Sequence, residues 1–348
     1  MDSFNLIKDL TTAFGPPGFE EDVVEVAKKY APPGYTTKRD SLMNFYMHKS
    51  DYKPDAPTVL IDAHSDEIGL MVHAIKPNGT IVIHNMGHWV PMVLLAQRML
   101  VRNLEGKLVT GVIVARAPHF GGIDTAPKLT DLVLDIGASC KEEVEKEYKI
   151  APGCPIVPKT EFELQGDTMI AKAFDDRIGC AIVIEALEAL QDVDLRVVGA
   201  LSAQEEVGLR GARVVANHVS PDFAICIEGA PADDTFTEAH LIQTRMGKGP
   251  MVRLIDAGMI TNPRCVQYVR DIAAKEGITI QETVRTMGST NAGAVHTSGM
   301  GVPTVVVSCP VRYAHSHHSM ASFSDYKACV ALVVAIVKGL TAEIIQGF

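Results

Sequence analysis

The pattern of hydrophobic and polar positions changes twice along the chain. Residues 20–30 carry apolar side chains at helical spacing, and residues 57–64 form an apolar run typical of a buried strand. From about residue 68 to about residue 163, short β-rich segments alternate with Gly, Pro and Asn turns. After residue 171, apolar strands alternate with helices. The pattern therefore predicts two kinds of folding unit in one chain.

The last stretch indicates the class of the larger unit. Strands are predicted over 195–203, 223–227 and 303–308, and helices over 177–190, 266–275 and 324–345. Apolar strands that alternate with helices indicate a sheet covered on both faces. We predict an α/β fold with a mixed, largely parallel sheet over residues 1–67 and 164–348. A small β-rich domain, residues 68–163, is inserted and contains one predicted helix, residues 141–149.

Composition narrows the functional classes. The 348 residues carry a formal net charge of −10, which argues against a nucleic-acid surface. We predict no signal peptide, because the N-terminus lacks a basic region followed by a long apolar core. We predict no membrane span, because no uninterrupted apolar run is long enough to cross a bilayer. The seven cysteines are dispersed, which is typical of reduced thiols. These observations favour a cytoplasmic enzyme.

Two adjacent carboxylates follow the predicted strand 195–203. Glu205 and Glu206 come directly after an apolar run, where carboxylates are uncommon without a cationic partner. Adjacent side chains point in different directions, so one glutamate can bind a metal ion while the other faces a water molecule. Metal-assisted hydrolysis requires this division of labour.

Other candidate side chains also lie where predicted strands end or helices begin. Each has an ordinary alternative explanation, such as a solvated turn or a helix cap. Their joint occurrence is more specific, because ligands of open α/β sheets gather at the carboxyl ends of the strands. Oxygen and nitrogen ligands without thiolate suit Zn, Co or Mn. The candidates are His64, Asp66, Asp175, Asp176, Glu228, His315, His317 and His318.

The motifs around these residues resemble those of a known family over nearly the whole chain. The family comprises the glutamyl, lysyl and deblocking aminopeptidases, which form tetrahedral dodecamers and contain a dinuclear metal site; some members are labelled endoglucanases. The matching motifs are Asp62-Ala-His-Ser-Asp-Glu-Ile-Gly, Lys172-Ala-Phe-Asp-Asp-Arg-Ile-Gly, Gln204-Glu-Glu-Val-Gly-Leu-Arg-Gly-Ala, Ile227-Glu-Gly and Arg312-Tyr-Ala-His-Ser.

The resemblance implies a zinc-peptidase-like fold and a role for each candidate. One metal ion would be held by His64 and Glu228, the other by Glu206 and His315, and Asp175 would bridge the two. Glu205 would act as general base and acid, and Asp66 would orient His64. The implied reaction removes the N-terminal residue of short peptides, with two divalent ions per chain, Zn or Co before Mn. The implied assembly is a dodecamer built from dimers, with the inserted domain mediating oligomerisation.

The resemblance also bears on the surroundings of the proposed ligands. The resemblance implies a cis peptide between Asp175 and Asp176. Many relatives carry Asp where this chain has Glu228, and many have proline and an acid where it has His317-His318. These differences lie around the ligand set and leave it complete.

Three further functional classes remain open at this point. In a glycoside hydrolase the glutamates would form a carboxylate pair, but that class needs aromatic platforms, and the chain has only one tryptophan, Trp89. A non-catalytic peptide-binding scaffold has no need of Glu205. A carboxypeptidase or deacylase on the same fold is disfavoured by the inserted-domain pattern.

Overall fold

The structure, a computed structural model, describes residues 2–53, 55–122 and 125–348. It contains an eleven-stranded mixed sheet and a separate closed barrel of six strands. The predicted α/β class, with a small β-rich unit inside the chain, is therefore confirmed.

The main sheet is built from the two ends of the chain. Its strands are β1 (Thr36–Arg39), β2 (Phe45–His48), β3 (Thr58–His64), β10 (Glu163–Gln165), β11 (Thr168–Ala171), β12 (Arg196–Ser202), β13 (Phe223–Pro231), β14 (Met251–Ile255), β15 (Gln281–Val284), β16 (Thr304–Arg312) and β17 (Ser319–Ser322). Their order is β1-β2-β12-β3-β13-β16-β17-β11-β10, with β14 paired to β16 and β15 to β14. The central strands β12, β3, β13 and β16 are parallel to one another.

Helices cover both faces of this sheet. They are α1 (Ser3–Thr12), α2 (Glu21–Tyr30), α5 (Phe174–Ala189), α6 (Arg210–Val219), α7 (Pro263–Glu276), α8 (Ala292–Val295), α9 (Phe323–Gly339) and α10 (Ala342–Gln346). Alternate residues of β3 enter opposite cores: Val59 and Ile61 pack with α5, whereas Leu60 packs with α6 and α8. Two-sided burial explains why β3 has a continuous apolar run before its final polar residues.

The barrel occupies the middle of the chain. Its strands are β4 (Gly69–Ile75), β5 (Ile81–Met86), β6 (Arg98–Arg102), β7 (Leu108–Val114), β8 (Val133–Asp135) and β9 (Pro155–Pro158). They close in the order β4-β5-β8-β7-β6-β9 around a separate apolar core. Two helices accompany them, α3 (Pro91–Leu94) and α4 (Lys141–Lys146), together with 3-10 turns at Pro118–Phe120 and Leu129–Asp131. The short helix α3 was not predicted.

Two elements end at residues other than those predicted from the sequence. The C-terminal helix predicted over 324–345 is interrupted at Leu340, which is extended, and Thr341 caps a separate helix by accepting the N–H of Ile344. Strand β13 continues past residue 227 to Pro231, because its pairing with β16 extends to Val311. Glu228 therefore lies within a strand instead of closing one. Among the described residues, helices that combine the length and apolarity needed to cross a membrane are absent.

Candidate metal centre

The carboxyl ends of the central strands bring the candidate residues together. His64 ends β3 directly opposite Ser202, which ends the parallel strand β12. Glu205 and Glu206 follow β12 within a few residues, so they lie beside His64. Three of the predicted ligands, His64, Asp175 and Glu206, have donor atoms within 4.8 Å of one another. Parallel pairing of β3 with β12 joins two of these motifs, and α5, which packs against β3, brings Asp175 to them.

His64 is the most enclosed member of the cluster, with 1% of its side chain exposed. Its Nε2 lies 2.9 Å from Asp175 Oδ1 and 3.7 Å from Glu228 Oε1. Its Nδ1 lies 3.1 Å from the main-chain carbonyl of Asp66 and 3.5 Å from the Asp66 carboxylate. A carbonyl oxygen only accepts, so Nδ1 carries the hydrogen and Nε2 faces Asp175 with its lone pair.

His315 reaches Asp175 from the opposite side. Its Nε2 lies 3.1 Å from Asp175 Oδ2 and 3.2 Å from Glu206 Oε1. Its Nδ1 lies 3.1 Å from the carbonyl of His88, so here too Nδ1 donates and Nε2 faces carboxylates. Asp175 therefore contacts one imidazole with each of its two oxygens.

This arrangement requires positive charge between the imidazoles and the carboxylates. A lone pair on each Nε2 facing a carboxylate oxygen at about 3 Å is repulsive unless a proton or a metal ion lies between them. Without a metal ion, protons supply that charge. Burial lowers the pKa of His315, but its contacts with Asp175 and Glu206 outweigh burial and raise the pKa to about 11. In the described residues, lysine and arginine form no ion pair with these carboxylates.

The spacing of the donor atoms fits a divalent ion. Ligand atoms at about 2.0–2.1 Å from a tetrahedral zinc ion lie roughly 3.3 Å from one another. The four contacts between imidazole and carboxylate, at 2.9, 3.1, 3.2 and 3.7 Å, bracket that spacing. Each imidazole also donates its second nitrogen to a backbone carbonyl, the usual arrangement behind a ligating histidine. The residues present fit metal ions.

The crowding of buried carboxylates also indicates that the site requires positive charge. Burial, together with the neighbouring Asp175, raises the pKa of Glu228 to about 7. Burial and nearby acids likewise raise the pKa of Glu205 and Glu206. Buried acids of like charge resist ionisation together unless a cation compensates them. Divalent ions bound among these residues would supply that compensation.

Asp66 supports the glutamates more directly than the sequence suggested. Its carboxylate accepts the backbone N–H of Glu205 at 2.9 Å and that of Glu206 at 3.1 Å. Buried Glu20 accepts the N–H of Gln204 at 3.1 Å. Two buried carboxylates thus hold three consecutive amides of the loop, and Asp66 links that loop to His64.

Sequence reasoning missed the partners of a layer of charged residues beneath the site. Asp176 accepts the backbone N–H of His64 at 3.2 Å and that of Gly179 at 3.0 Å. Lys172 Nζ donates to Glu67 at 2.6 and 2.7 Å, and Arg177 lies 3.4 Å from the same carboxylate. The signal was present, since all of these residues belong to the quoted motifs, but spacing did not reveal their partners.

Other predictions at the site have clear outcomes. The peptide between Asp175 and Asp176 is cis, as predicted. Of the three clustered histidines, only His315 enters the metal cluster. His317 is buried against Trp89, with ring centroids 5.1 Å apart, and His318 is exposed.

Comparison with known proteins agrees with these features. The family model described as M42 glutamyl aminopeptidase matches residues 44–332. A glutamyl aminopeptidase of Lactococcus lactis subsp. cremoris is 33% identical over 352 residues, covering 99% of this chain and 98% of the relative.

Solved structures of aminopeptidases are also similar to this chain. A TET aminopeptidase from the marine sediment archaeon Thaumarchaeota archaeon SCGC AB-539-E09 has a TM-score of 0.93 at 35% identity, covering 99% of this chain and 98% of the other. The Pyrococcus horikoshii TET1 peptidase, which can assemble into a tetrahedron or a large octahedral shell, has a TM-score of 0.87 at 30% identity, covering 97% and 100%. A Thermotoga maritima protein called an endoglucanase also matches, with a TM-score of 0.79 at 25% identity, covering 98% of both chains.

The family match covers most of the chain, and the relatives align along its whole length. The chain therefore belongs to the M42 glutamyl aminopeptidase family, whose members are metal-dependent aminopeptidases.

Proposed function

We propose that this aminopeptidase removes the N-terminal residue of short peptides at a dinuclear metal site. One observation carries the proposal: the carboxylate of Asp175 contacts His64 through Oδ1 and His315 through Oδ2. A carboxylate that presents one oxygen to each of two imidazoles suits a bridging ligand between two ions.

The ligands divide into two sets. His64 and Glu228 would hold one divalent ion, Glu206 and His315 the other, and Asp175 would bridge them. The donor chemistry suits Zn or Co, and also Mn. When bound, the ions supply Lewis acidity, which lowers the pKa of a water molecule and polarises the scissile carbonyl.

Glu205 is the proposed general base and acid. Its backbone N–H is held by Asp66, and its carboxyl lies close enough to the proposed ligands His64, Glu206 and Glu228 to interact with them electrostatically. Burial raises its pKa, which suits a group that takes a proton from the attacking water and returns it to the leaving amine. Asp66, through its carbonyl on His64 and its carboxylate on the glutamate loop, is the proposed orienting residue.

We also propose a role for each domain, an assembly and a cellular location. We propose residues 1–67 and 164–348 as the catalytic domain and residues 68–163 as the domain that mediates oligomerisation. The proposed assembly is a tetrahedral homododecamer built from dimers, with active sites facing an inner cavity that admits short peptides. The TET1 structures support this assembly. We place the enzyme in the cytoplasm, without a nucleic-acid or membrane partner.

The test is hydrolysis of a panel of aminoacyl chromogenic substrates by metal-free protein reloaded separately with Zn, Co and Mn. We expect metal-dependent release of the N-terminal residue and no cleavage of the same peptides after N-terminal acetylation. Binding of two ions per chain without cleavage of any substrate would favour the non-catalytic scaffold.

The same preparation distinguishes the aminopeptidase from a glycoside hydrolase and from a carboxypeptidase. A glycoside hydrolase would cleave a soluble β-glucan with its metal removed by chelator. A carboxypeptidase would release the C-terminal residue and lose activity on C-terminally blocked peptides. Either result would contradict the proposed reaction.

A further inference from the structure

One loop of the barrel lies against Glu206 and His315, the two residues proposed to hold the second metal ion. Gly87 follows β5 with a φ of +87°, and a Cβ added there would lie 3.2 Å from Glu206 Cβ. The next residue, His88, accepts the Nδ1–H of His315 through its carbonyl. The loop therefore lies against the backs of Glu206 and His315 at once.

The turn that carries His315 has an unusual backbone. Tyr313 and His315 have φ values of +60° and +58°, in the left-handed region that favours glycine. Such conformations are unfavourable for residues that carry a Cβ, and they persist where the surroundings determine them. The turn therefore depends on contacts that hold its shape.

The barrel and the segment that leaves it supply those contacts through His317. This side chain is 3% exposed, and its Nε2–H donates to Met99 Sδ on β6 at 3.2 Å, because a thioether sulfur only accepts. Trp89 packs against the same ring and donates to the carbonyl of Gly69 at 3.1 Å. Thr160 donates its hydroxyl to the carbonyl of His317 at 2.9 Å.

We infer that the barrel is a positioning part of the metal site. The barrel clamp, defined as Gly87, His88, Trp89, Met99 and Thr160, holds the turn through His317 so that His315 and Glu206 face the same ion. His317 is a positioning residue and not a ligand. The inference rests on the proposed dinuclear site and extends the role of the inserted domain beyond assembly.

The test removes the sulfur acceptor while keeping the volume of the side chain. Met99→Leu leaves the His317 N–H buried without its partner, and a Leu-for-Met exchange conserves core packing. Met47→Leu is the matched control, since Met47 and Met99 are both fully buried and Met47 lies on β2 of the main sheet. Metal bound per chain is measured by equilibrium dialysis of the full assembly against Zn at a series of free concentrations.

We expect the wild-type protein and Met47→Leu to bind both ions with the same affinities. Met99→Leu should bind the first ion, held by His64 and Glu228, with unchanged affinity. The second ion, held by Glu206 and His315, should bind about 10-fold more weakly, the lower end of the effect of losing a direct partner of a ligand, because Met99 acts on His315 only through His317. Peptidase activity of Met99→Leu should return when the Zn concentration is raised. His317→Phe, which keeps a ring against Trp89, should have the same effect, and adding Met99→Leu to it should have little further effect.

Two results would overturn the inference: equal binding by Met99→Leu and Met47→Leu, or parallel weakening of both ions. Failure of the proposed function looks different, because the wild-type protein itself would then bind fewer than two ions or cleave peptides without them.

Discussion

The two halves of the proposed metal centre use the same chemistry but are supported differently. His64 is 1% exposed and ends a central strand, and its backbone N–H and both ring nitrogens contact groups from the catalytic unit. His315 is 33% exposed and lies on a turn whose shape depends on the barrel. A strand held by partners on both sides needs little further support. A turn must be held from outside, and here a second folding unit holds it.

The largest expected effects come from replacing the histidine in each half of the proposed metal centre. His64→Ala should bind neither ion tightly and show no detectable activity, because the cavity left beneath Asp175 and Glu228 leaves buried carboxylates unpaired. His315→Ala should lose the second ion and keep the first. Metal content per chain and peptidase rate are measured on the same samples, and full metal content in either variant would remove that residue from the ligand set.

Replacing the shared base should leave both halves intact. Glu205→Gln is expected to lower kcat by about 10²–10⁴, the range for general acid–base catalysis, because the amide cannot take the proton of the water. Both ions should remain bound, since Glu205 is not in the proposed ligand set. An unchanged kcat would refute the assignment.

The charged layer beneath the His64 half should contribute mainly to stability. Glu67→Gln leaves the buried charges of Lys172 and Arg177 without their carboxylate, and breaking a buried ion pair costs about 3–5 kcal/mol. Burial lowers the pKa of Lys172 to about 8 even beside Glu67, and loss of that carboxylate lowers it further, so part of this cost is recovered as pH rises and the amine loses its proton. Thermal unfolding is the measurement. An exposed ion pair, Glu105 with Lys107, gives the control, because Glu105→Gln should leave the unfolding temperature unchanged.

The smallest effect concerns the contact between the barrel loop and Glu206. Gly87→Ala places a methyl group 2.7 Å from Ile68 Cγ2 and 3.2 Å from Glu206 Cβ. Gly106→Ala carries similar backbone strain, since Gly106 has a φ of +78°, but its methyl group meets open space. We expect Gly87→Ala to weaken binding of the second ion about tenfold more than Gly106→Ala does, measured by zinc titration. Equal effects would assign the change to backbone strain alone.

Much of the fold was predictable because hydrophobic periodicity is a local property. The strands before His64 and Glu205 are buried on both faces, so they appear as continuous apolar runs in the sequence. Element ends were less predictable. Pairing with β16 extends β13 past Glu228, and such pairing is invisible in a single strand.

The candidate site was also predictable only in part. Acids and histidines at strand ends indicated metal chemistry, and the motif resemblance implied which of them would be ligands. The supports of those ligands were not predictable. Glu67 lies 105 positions from Lys172, and His88 lies 227 positions from His315.

By itself, the sequence determined the two kinds of folding unit, the family, and the residue types available for chemistry, because these are recorded in local pattern and motif. Only the tertiary structure decided that Asp175 contacts one imidazole with each oxygen, and that Asp66 supports the glutamate loop. It also decided that the barrel holds His315 through His88 and His317. These contacts join residues far apart in the chain, so they form only when the tertiary structure brings those residues together.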